Sequence, residues 1–277
     1  MDLASEIERN VAAALAEDVG SGDATAPLTP AGKAARAAVT CRQEAVVCGQ
    51  PWFDACFRKL DPKAETQWAV AEGTKVTAGS RVCTVRGEAR ALLAAERSAI
   101  NFLQTLSAVA TATRRLVDAA AGTRAKIVDT RKTLPGLRAA QKYAVRTGGG
   151  SNHRMGLYDA MLIKENHIAA AGGIRQALAQ AKKAARPGVW VQIEVETLEQ
   201  LREALDAGAT MILLDNMSAD QMREAVEIAS DRAELEASGG ITLDNVRAIA
   251  ETGVHRISIG ALTKDVKAVD FSMRFEG

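Results

Sequence analysis

Between Asp129 and Asp159 the sequence places Arg131, Lys132, Arg138, Lys142, Arg146 and Arg154, together with His153, and no carboxylate. In a chain of formal net charge +1, clustered cations repel one another unless something neutralises them, so the pattern suits binding of a small polyanion. The plain alternative is a solvated basic loop. Position argues against it: the run starts at the end of the apolar stretch "AKIV", passes through "GGGSNHR" and returns to another apolar end at Lys164. Two acids, Glu194 and Asp215, close the apolar runs "VWVQI" and "TMILL". Such a pair can hold Mg²⁺ together with phosphate oxygens, directly or through water, or can pair with Lys164 or Lys132 and orient those amines. Further on, "ASGGITLDNV" and "ISIGALTKDV" each read as strand, glycine, helix start. That order aims free backbone N–H groups and a helix dipole at an anion around Ser238, Gly239, Gly240, Gly260 and Ala261. Either stretch alone is an ordinary tight turn; the two together point to phosphate.

The elements that must position these groups are short apolar runs alternating with helical stretches after Gly122: "AKIVDT", "AMLIKE", "VWVQIEVE", "TMILLDN", "ELEASGG" and "RISIGAL". Near-continuous apolar strands separated by helices imply parallel βαβ units buried on both faces. In a parallel α/β barrel the strands' carboxyl ends share one mouth, so Asp129, Lys164, Glu194, Asp215, Ser238 and Gly260 are expected to converge there, with phosphate after the last two strands. Six strands in about 140 residues fall short of the roughly 250 residues of an eight-stranded barrel. The expected fold is therefore an incomplete parallel α/β barrel.

Ahead of it, Leu3, Ile7, Val11 and Leu15 mark an amphipathic first helix. The alternating "AAVTCRQEAVVCG", a short helix "PWFDACFRKL" and the strand-like "TQWAVAEG" and "RVCTVRGE", with turns at Gly73 and Gly79, describe a separate α+β domain. From Ala89 to about Ala121 the chain lacks Gly and Pro, which suits one or two helices linking the parts. The tail "VDFSMRF" alternates like a strand that returns to the first domain. We place that domain at 1–108, joined by 265–277, and the barrel at 109–264.

Composition narrows the function. Lys and Arg number 35 against 34 acids, and aromatic residues make up 4%, which offers neither a basic nucleic-acid face nor a stacking platform. The apolar windows are shorter than the roughly 20 residues of a membrane span. Cys41, Cys48, Cys56 and Cys83 show no C-x-x-C spacing and read as reduced thiols. The amino terminus lacks a basic-then-apolar signal pattern, and the expected location is the cytoplasm. His167 and His255 read as local structural histidines, and Trp52, Trp68 and Trp190 as core or interface residues.

The stretches "DTRKTLPGLR", "KYAVRTGGGSNHRMGLYDAMLIKENHI", "EVE", "LLDNM" and "EASGGI" resemble the quinolinate phosphoribosyltransferases, the decarboxylating enzymes of NAD biosynthesis. "EDVGSGDATA" and "AERSAINFLQ" extend the resemblance to nearly the whole chain. It implies an N-terminal α/β sandwich domain, an incomplete α/β barrel, and a homodimer with shared active sites, in some members a hexamer. It also implies a reaction: quinolinate and 5-phosphoribosyl 1-pyrophosphate give nicotinate mononucleotide, pyrophosphate and CO₂ with Mg²⁺. By resemblance, Arg131, His153 and Arg154 hold the quinolinate carboxylates, and Arg97 of "AERS" reaches in from the partner subunit. Lys132 and Lys164 lie between the diacid and the pyrophosphate. Glu194 and Asp215 face the ribose hydroxyls and the metal-bound pyrophosphate, and Ser238, Gly239, Gly240, Gly260 and Ala261 cradle the 5-phosphate.

The chemistry agrees with those residue types. Displacing pyrophosphate from an anomeric carbon builds positive charge on the ribose, which nearby carboxylates stabilise while cations stabilise the leaving group. The pyridine nitrogen needs positioning, which two gripped carboxylates provide. Loss of the ring carboxylate beside the new N⁺ leaves a carbanion offset by the adjacent charge, and Lys132, Lys164 or water can protonate it. Three other readings compete: a paralogue from molybdenum operons whose substrate need not be quinolinate, a Schiff-base aldolase using Lys164, and a non-catalytic binder of phosphorylated metabolites.

Overall fold

The computed structural model describes residues 2–276. In chain order the first elements are α1 (Leu3–Val19), a short 3₁₀ turn (Ala26–Leu28), β1 (Ala34–Cys41), β2 (Ala45–Val46) and α2 (Gln50–Leu60). Then come β3 (Glu65–Trp68), β4 (Lys75–Val76), β5 (Arg81–Glu88) and α3 (Ala89–Ala119). The next run is β6 (Lys126–Val128), α4 (Arg138–Thr147), β7 (Ala160–Ile163), α5 (Glu165–Ala171), α6 (Ile174–Ala184) and β8 (Trp190–Val195). It continues with α7 (Leu198–Asp206), β9 (Met211–Asp215), α8 (Ala219–Ala229), β10 (Glu234–Ser238), α9 (Val246–Ala250), β11 (Arg256–Ser258), α10 (Ala261–Lys264) and β12 (Phe271–Phe275).

Contacts divide the chain into two compact units: one of 1–114, 133–149 and 263–277, the other of 115–132 and 150–262. The division runs through the cationic segment, so Arg138, Lys142 and Arg146, on α4, belong to the first unit.

The first unit holds a four-stranded antiparallel sheet in the order β12-β1-β5-β3. The alternating tail is β12, paired antiparallel with β1 from Ala37↔Phe275 to Cys41↔Phe271. β1 alternates as an antiparallel strand with one buried face does, burying Ala37, Val39 and Cys41. Asp2 caps α1 by accepting from the N–H groups of Ala4 and Ser5, and the helix buries Val11 and Leu15. The Ala-rich stretch after β5 forms one 31-residue helix, α3. All four cysteines are free and buried, and burial pushes the Cys56 thiol up to about 12, far from a reactive thiolate. Trp52 is fully buried, its indole N–H donating to Asn10 Oδ1 at 3.1 Å. A Cβ at Gly148 would lie 2.6 Å from the Ala110 carbonyl oxygen and 2.7 Å from Thr113 Cβ, both on α3. Gly148→Ala is therefore expected to destabilise this unit by about 1–3 kcal/mol through overpacking, read as a lower midpoint of urea unfolding at unchanged slope.

The second unit is a six-stranded parallel sheet in the order β6-β11-β10-β9-β8-β7. All six apolar runs became its strands. β6 and β7 end the sheet and do not pair with each other, so the barrel is incomplete. One face buries Ile163, Ile193, Val195, Ile212, Leu214, Leu235, Ala237 and Ile257, each worth about 1.5–3 kcal/mol for the larger side chains. The opposite face corrects the expectation of strands apolar on both sides. Gln192 and Glu194 alternate with Ile193 and Val195, Glu234, Glu236 and Ser238 with Leu235 and Ala237, and Arg256 and Ser258 with Ile257. A sheet curled around an interior can carry a polar inner face where side chains pair or line a cavity. Among the described residues no helix is long and apolar enough to cross a membrane.

Candidate active site

The ladder registers set Glu194 beside Leu213, Leu213 beside Glu236 and Glu236 beside Arg256, with Ser238 beside Asp215 one pleat further along. Every second residue of a strand faces the same side, so this alternation collects Leu162, Lys164, Glu194, Leu213, Glu236, Ser238 and Ser258 around one cavity. Thr130, Arg131 and Lys132, just past β6, and His153 and Arg154 complete its wall. Seven of the residues singled out in the sequence thus meet: Arg131, Lys132, His153, Arg154, Lys164, Glu194 and Ser238.

His153 and Arg154 arrive on a segment laid along the free edge of β6. Ser151 donates its N–H to Ile127 at 2.8 Å, and Asp129 donates its N–H to Ser151 at 3.2 Å. Asp129 does not line the cavity as its place at a strand end suggested. It is fully buried, one residue out of phase with the inner face, and its carboxylate accepts from the His153 N–H at 2.9 Å and from the Asn152 side chain. It locks the segment rather than meeting a ligand. Arg154 Nη1 then donates to the carbonyl of Ala160, at the start of β7, at 3.0 Å. The segment therefore ties together the two strands that end the sheet. Burial, and after it the neighbouring Arg131 charge, hold the Arg154 guanidinium below its usual value, with Asp159 opposing them. Two adjacent guanidinium groups, one of them mostly buried, gain by receiving an anion between them.

In the same cavity Lys164 Nζ lies 3.1 Å from Glu194 Oε2 and 3.4 Å from Oε1. Of the two sequence readings of Glu194, the amine-orienting pair is present. His167 accepts the Lys164 N–H on Nδ1 at 3.0 Å, capping α5, which gives this histidine the local structural role expected of it.

Asp215, Gly239, Gly240, Gly260 and Ala261 are not among the cavity-lining residues. Asp215 shares the inner face with Glu194 and accepts from Asn216 Nδ2 at 2.9 Å. Asn216 is left-handed, φ 55°, and a Cβ at Gly239 would stand 2.7 Å from its Cγ. Gly239→Ala is expected to disturb both the Ser238–Gly240 turn and the Asp215 carboxylate. The check is the affinity for a phosphorylated ligand, which should fall about tenfold or more; an unchanged value would separate this turn from phosphate binding. The helix expected straight after Gly239–Gly240 starts only at Val246, because Asn245 closes an intervening turn, accepting from the Thr242 N–H at 2.8 Å and donating to the Gly240 carbonyl at 3.0 Å. The backbone N–H groups that follow Gly239–Gly240 therefore belong to a turn, not to a helix end. After β11 the order is as expected: α10 begins at Ala261, and Gly260 leaves room for Lys132, whose Cδ would meet a Cβ there at 3.0 Å. Arg97 is an exposed residue of α3 in the first unit.

Reading only strand ends, and placing the last one at Gly260, overlooked Glu236, Ser258 and Thr130. The signal was present: "ELEAS" and "RIS" repeat with period two, so Glu236 and Ser258 share the face of Ser238.

Family models give the next observation. The model of the quinolinate phosphoribosyl transferase N-terminal domain matches residues 23–107, and that of the C-terminal domain matches residues 109–274. The chain belongs to the quinolinate phosphoribosyl transferase family. It is 42% identical to a probable nicotinate-nucleotide pyrophosphorylase [carboxylating] of Bacillus subtilis over 93% of this chain and 89% of that protein. A quinolinate phosphoribosyltransferase [decarboxylating] of Nicotiana tabacum is 40% identical over 95% of this chain and 80% of its own length. Among solved structures, the nicotinate-nucleotide pyrophosphorylase of Francisella tularensis superposes with a TM-score of 0.96 at 43% identity, covering 100% of this chain and 98% of the other.

Proposed function

We propose that the chain transfers the phosphoribosyl group of 5-phosphoribosyl 1-pyrophosphate to quinolinate and releases CO₂ and pyrophosphate, forming nicotinate mononucleotide for NAD synthesis. The observation that carries this reading is a single cavity lined both by two guanidinium groups, Arg131 and Arg154, and by a lysine–carboxylate pair, Lys164 and Glu194. Arg131 and Arg154 grip the two ring carboxylates and present the pyridine nitrogen. Glu194 and Asp215 face the ribose as positive charge develops on it, and Lys132 and Lys164 stabilise the departing pyrophosphate. The Ser238–Gly240 turn and Gly260–Ala261 hold the 5-phosphate. Once the pyridinium nitrogen has formed, its positive charge offsets the carbanion left on the adjacent ring carbon by loss of CO₂, and that carbon takes a proton from Lys132, Lys164 or water.

Mg²⁺ fits this donor set as a metal that arrives with pyrophosphate. Among the described residues no group of three or more His, Cys, Asp or Glu could hold a metal, whereas Mg²⁺ on a phosphate needs only one or two carboxylates. Glu194 and Asp215, on one face of neighbouring strands, would supply these. The ion would neutralise charge on the leaving pyrophosphate.

We further read the working form as a homodimer, or a hexamer built from it, in which Arg97 of a second copy completes the quinolinate site, and its location as the cytoplasm. Arg97→Ala and Lys132→Ala should each be inactive or nearly so. Mixing them should restore up to about a quarter of the wild-type activity per dimer, by random pairing; no recovery would rule out sharing. The reading as a whole is tested by supplying quinolinate and 5-phosphoribosyl 1-pyrophosphate, with and without Mg²⁺, and following nicotinate mononucleotide by chromatography. No product with Mg²⁺ present would overturn it. Tight binding of both substrates without turnover would indicate a binding protein, and a borohydride-trapped adduct on Lys164 an aldolase.

A further inference from the structure

Beneath the cavity a chain of buried polar groups runs through the inner face of the sheet. Glu236 is 1% exposed and Gln192 is 1% exposed, yet neither is a strand-end residue. Arg256 Nε stands 3.0 Å from Glu236 Oε2, an ion pair across the β10–β11 ladder, where the two residues are register partners. A second contact, 3.7 Å from Arg256 Nη1 to Glu234, anchors the guanidinium on the same strand. Gln192 Nε2 donates to Glu236 Oε2 at 3.2 Å. The carboxylate accepts only, so it fixes which end of the Gln192 amide faces it and turns the amide oxygen towards His153, whose Nε2 lies 3.1 Å away. The other carboxylate oxygen, Glu236 Oε1, is buried, makes no hydrogen bond, and lies 3.6 Å from the same Nε2. On its far side the imidazole accepts the Arg154 N–H on Nδ1 at 2.8 Å.

These contacts decide the state of the ring. Two acceptors face Nε2, so Nε2 carries a proton; a donor faces Nδ1, so Nδ1 keeps its lone pair. We propose that Glu236 is a positioning residue of the quinolinate site, which holds His153 through Gln192 as the neutral Nε2–H imidazole and thereby sets the backbone of Arg154. The inference rests on the functional reading above and changes one part of it. His153 orients the clamp, and the charge that grips the carboxylates comes from Arg131 and Arg154. A fifth cation beside Arg131, Arg154, Lys132 and Lys164 would add repulsion in a half-closed space, which a neutral ring avoids. The Trp190 ring, edge-on to His153 with centroids 5.0 Å apart, braces the imidazole from β8.

The chain has only three histidines, so ¹⁵N-histidine labelling with long-range ¹H–¹⁵N spectra reads the tautomer directly, with His167→Asn and His255→Asn serving for assignment. At pH 7 the His153 pattern should be that of Nε2–H imidazole. An imidazolium pattern, or the Nδ1–H form, would overturn the proposal. In Glu236→Gln the amide of Gln192 loses its fixed orientation, so the single-tautomer pattern should be lost and the KM for quinolinate should rise about tenfold, while the KM for 5-phosphoribosyl 1-pyrophosphate stays within about threefold. Gln192→Leu leaves the Glu236–Arg256 pair in place and should show the same split, which keeps the test open if Glu236→Gln fails to fold. An unchanged His153 spectrum and unchanged quinolinate KM in a folded variant would refute the role of Glu236. If the wild type makes no nicotinate mononucleotide but shows the expected imidazole, the functional reading falls and the hydrogen-bond chain stands. An active wild type with a charged His153 reverses that outcome.

Discussion

Replacing Arg154 by alanine is expected to raise the KM for quinolinate about 100-fold or more, roughly 3 kcal/mol, with a much smaller change for 5-phosphoribosyl 1-pyrophosphate. A charge-assisted hydrogen bond to a carboxylate is worth about 1.5–3 kcal/mol, and a guanidinium can make two in parallel. Arg154 is 9% exposed and held below its usual basicity by burial and by Arg131, so little water competes for the bound anion. Alanine also removes the tie from Nη1 to the Ala160 carbonyl. Arg154→Lys separates the contributions: it keeps the charge but loses the planar fork, and most of the affinity should still be lost. Steady-state kinetics in each substrate is the measurement, with thermal unfolding as the control for the lost tie. Quinolinate affinity that stays at the wild-type level in Arg154→Ala would remove this residue from the clamp.

Lys164→Ala is expected to act on turnover, lowering kcat by about 10²–10³-fold, the range seen when one preorganised electrostatic contact to a developing charge is removed. Its amine spans both oxygens of Glu194 at 3.1 and 3.4 Å, and the Glu194 side chain is 10% exposed. Without the lysine, that carboxylate remains largely desolvated with its cation gone, and its side chain loses the contact that orients it. Glu194→Gln should therefore cost a comparable factor, and the double variant should be little worse than the weaker single variant, since both remove one unit. Multiplicative losses in the double variant would show instead that the two side chains act separately.

Much of this was visible in the residues. The six apolar runs after Gly122 are the six parallel strands, and Lys164, Glu194 and Ser238 come together because each ends such a run. The alternation of "VDFSMRF" correctly marked a strand, and the hydrogen-bond ladder shows that it pairs antiparallel with β1. Asp129 was misjudged and Glu236 overlooked for the same reason. Position in a strand was read by its end and not by its phase. Asp129 falls out of phase with the inner face and is buried against the 152–153 segment, while Glu236 falls in phase and reaches the cavity from mid-strand. The helix expected after Gly239–Gly240 was displaced by the Asn245 turn, a competition between side-chain and backbone hydrogen bonds that a glycine pair does not reveal.

By itself the sequence determined the element types, the parallel class of the sheet and the cationic character of the 131–154 segment, because apolar period and charge are local properties written in consecutive residues. Only the tertiary structure decided which residues of that segment share the cavity. Arg131, Lys132, His153 and Arg154 are brought together by the edge of β6, whereas Arg138, Lys142 and Arg146 stand on α4 in the other unit. It also decided the state of His153, whose partners Gln192, Glu236 and the Arg154 N–H meet only when strand registers are set. Register is a sum over many weak pairings across distant segments, and no short stretch of sequence contains it.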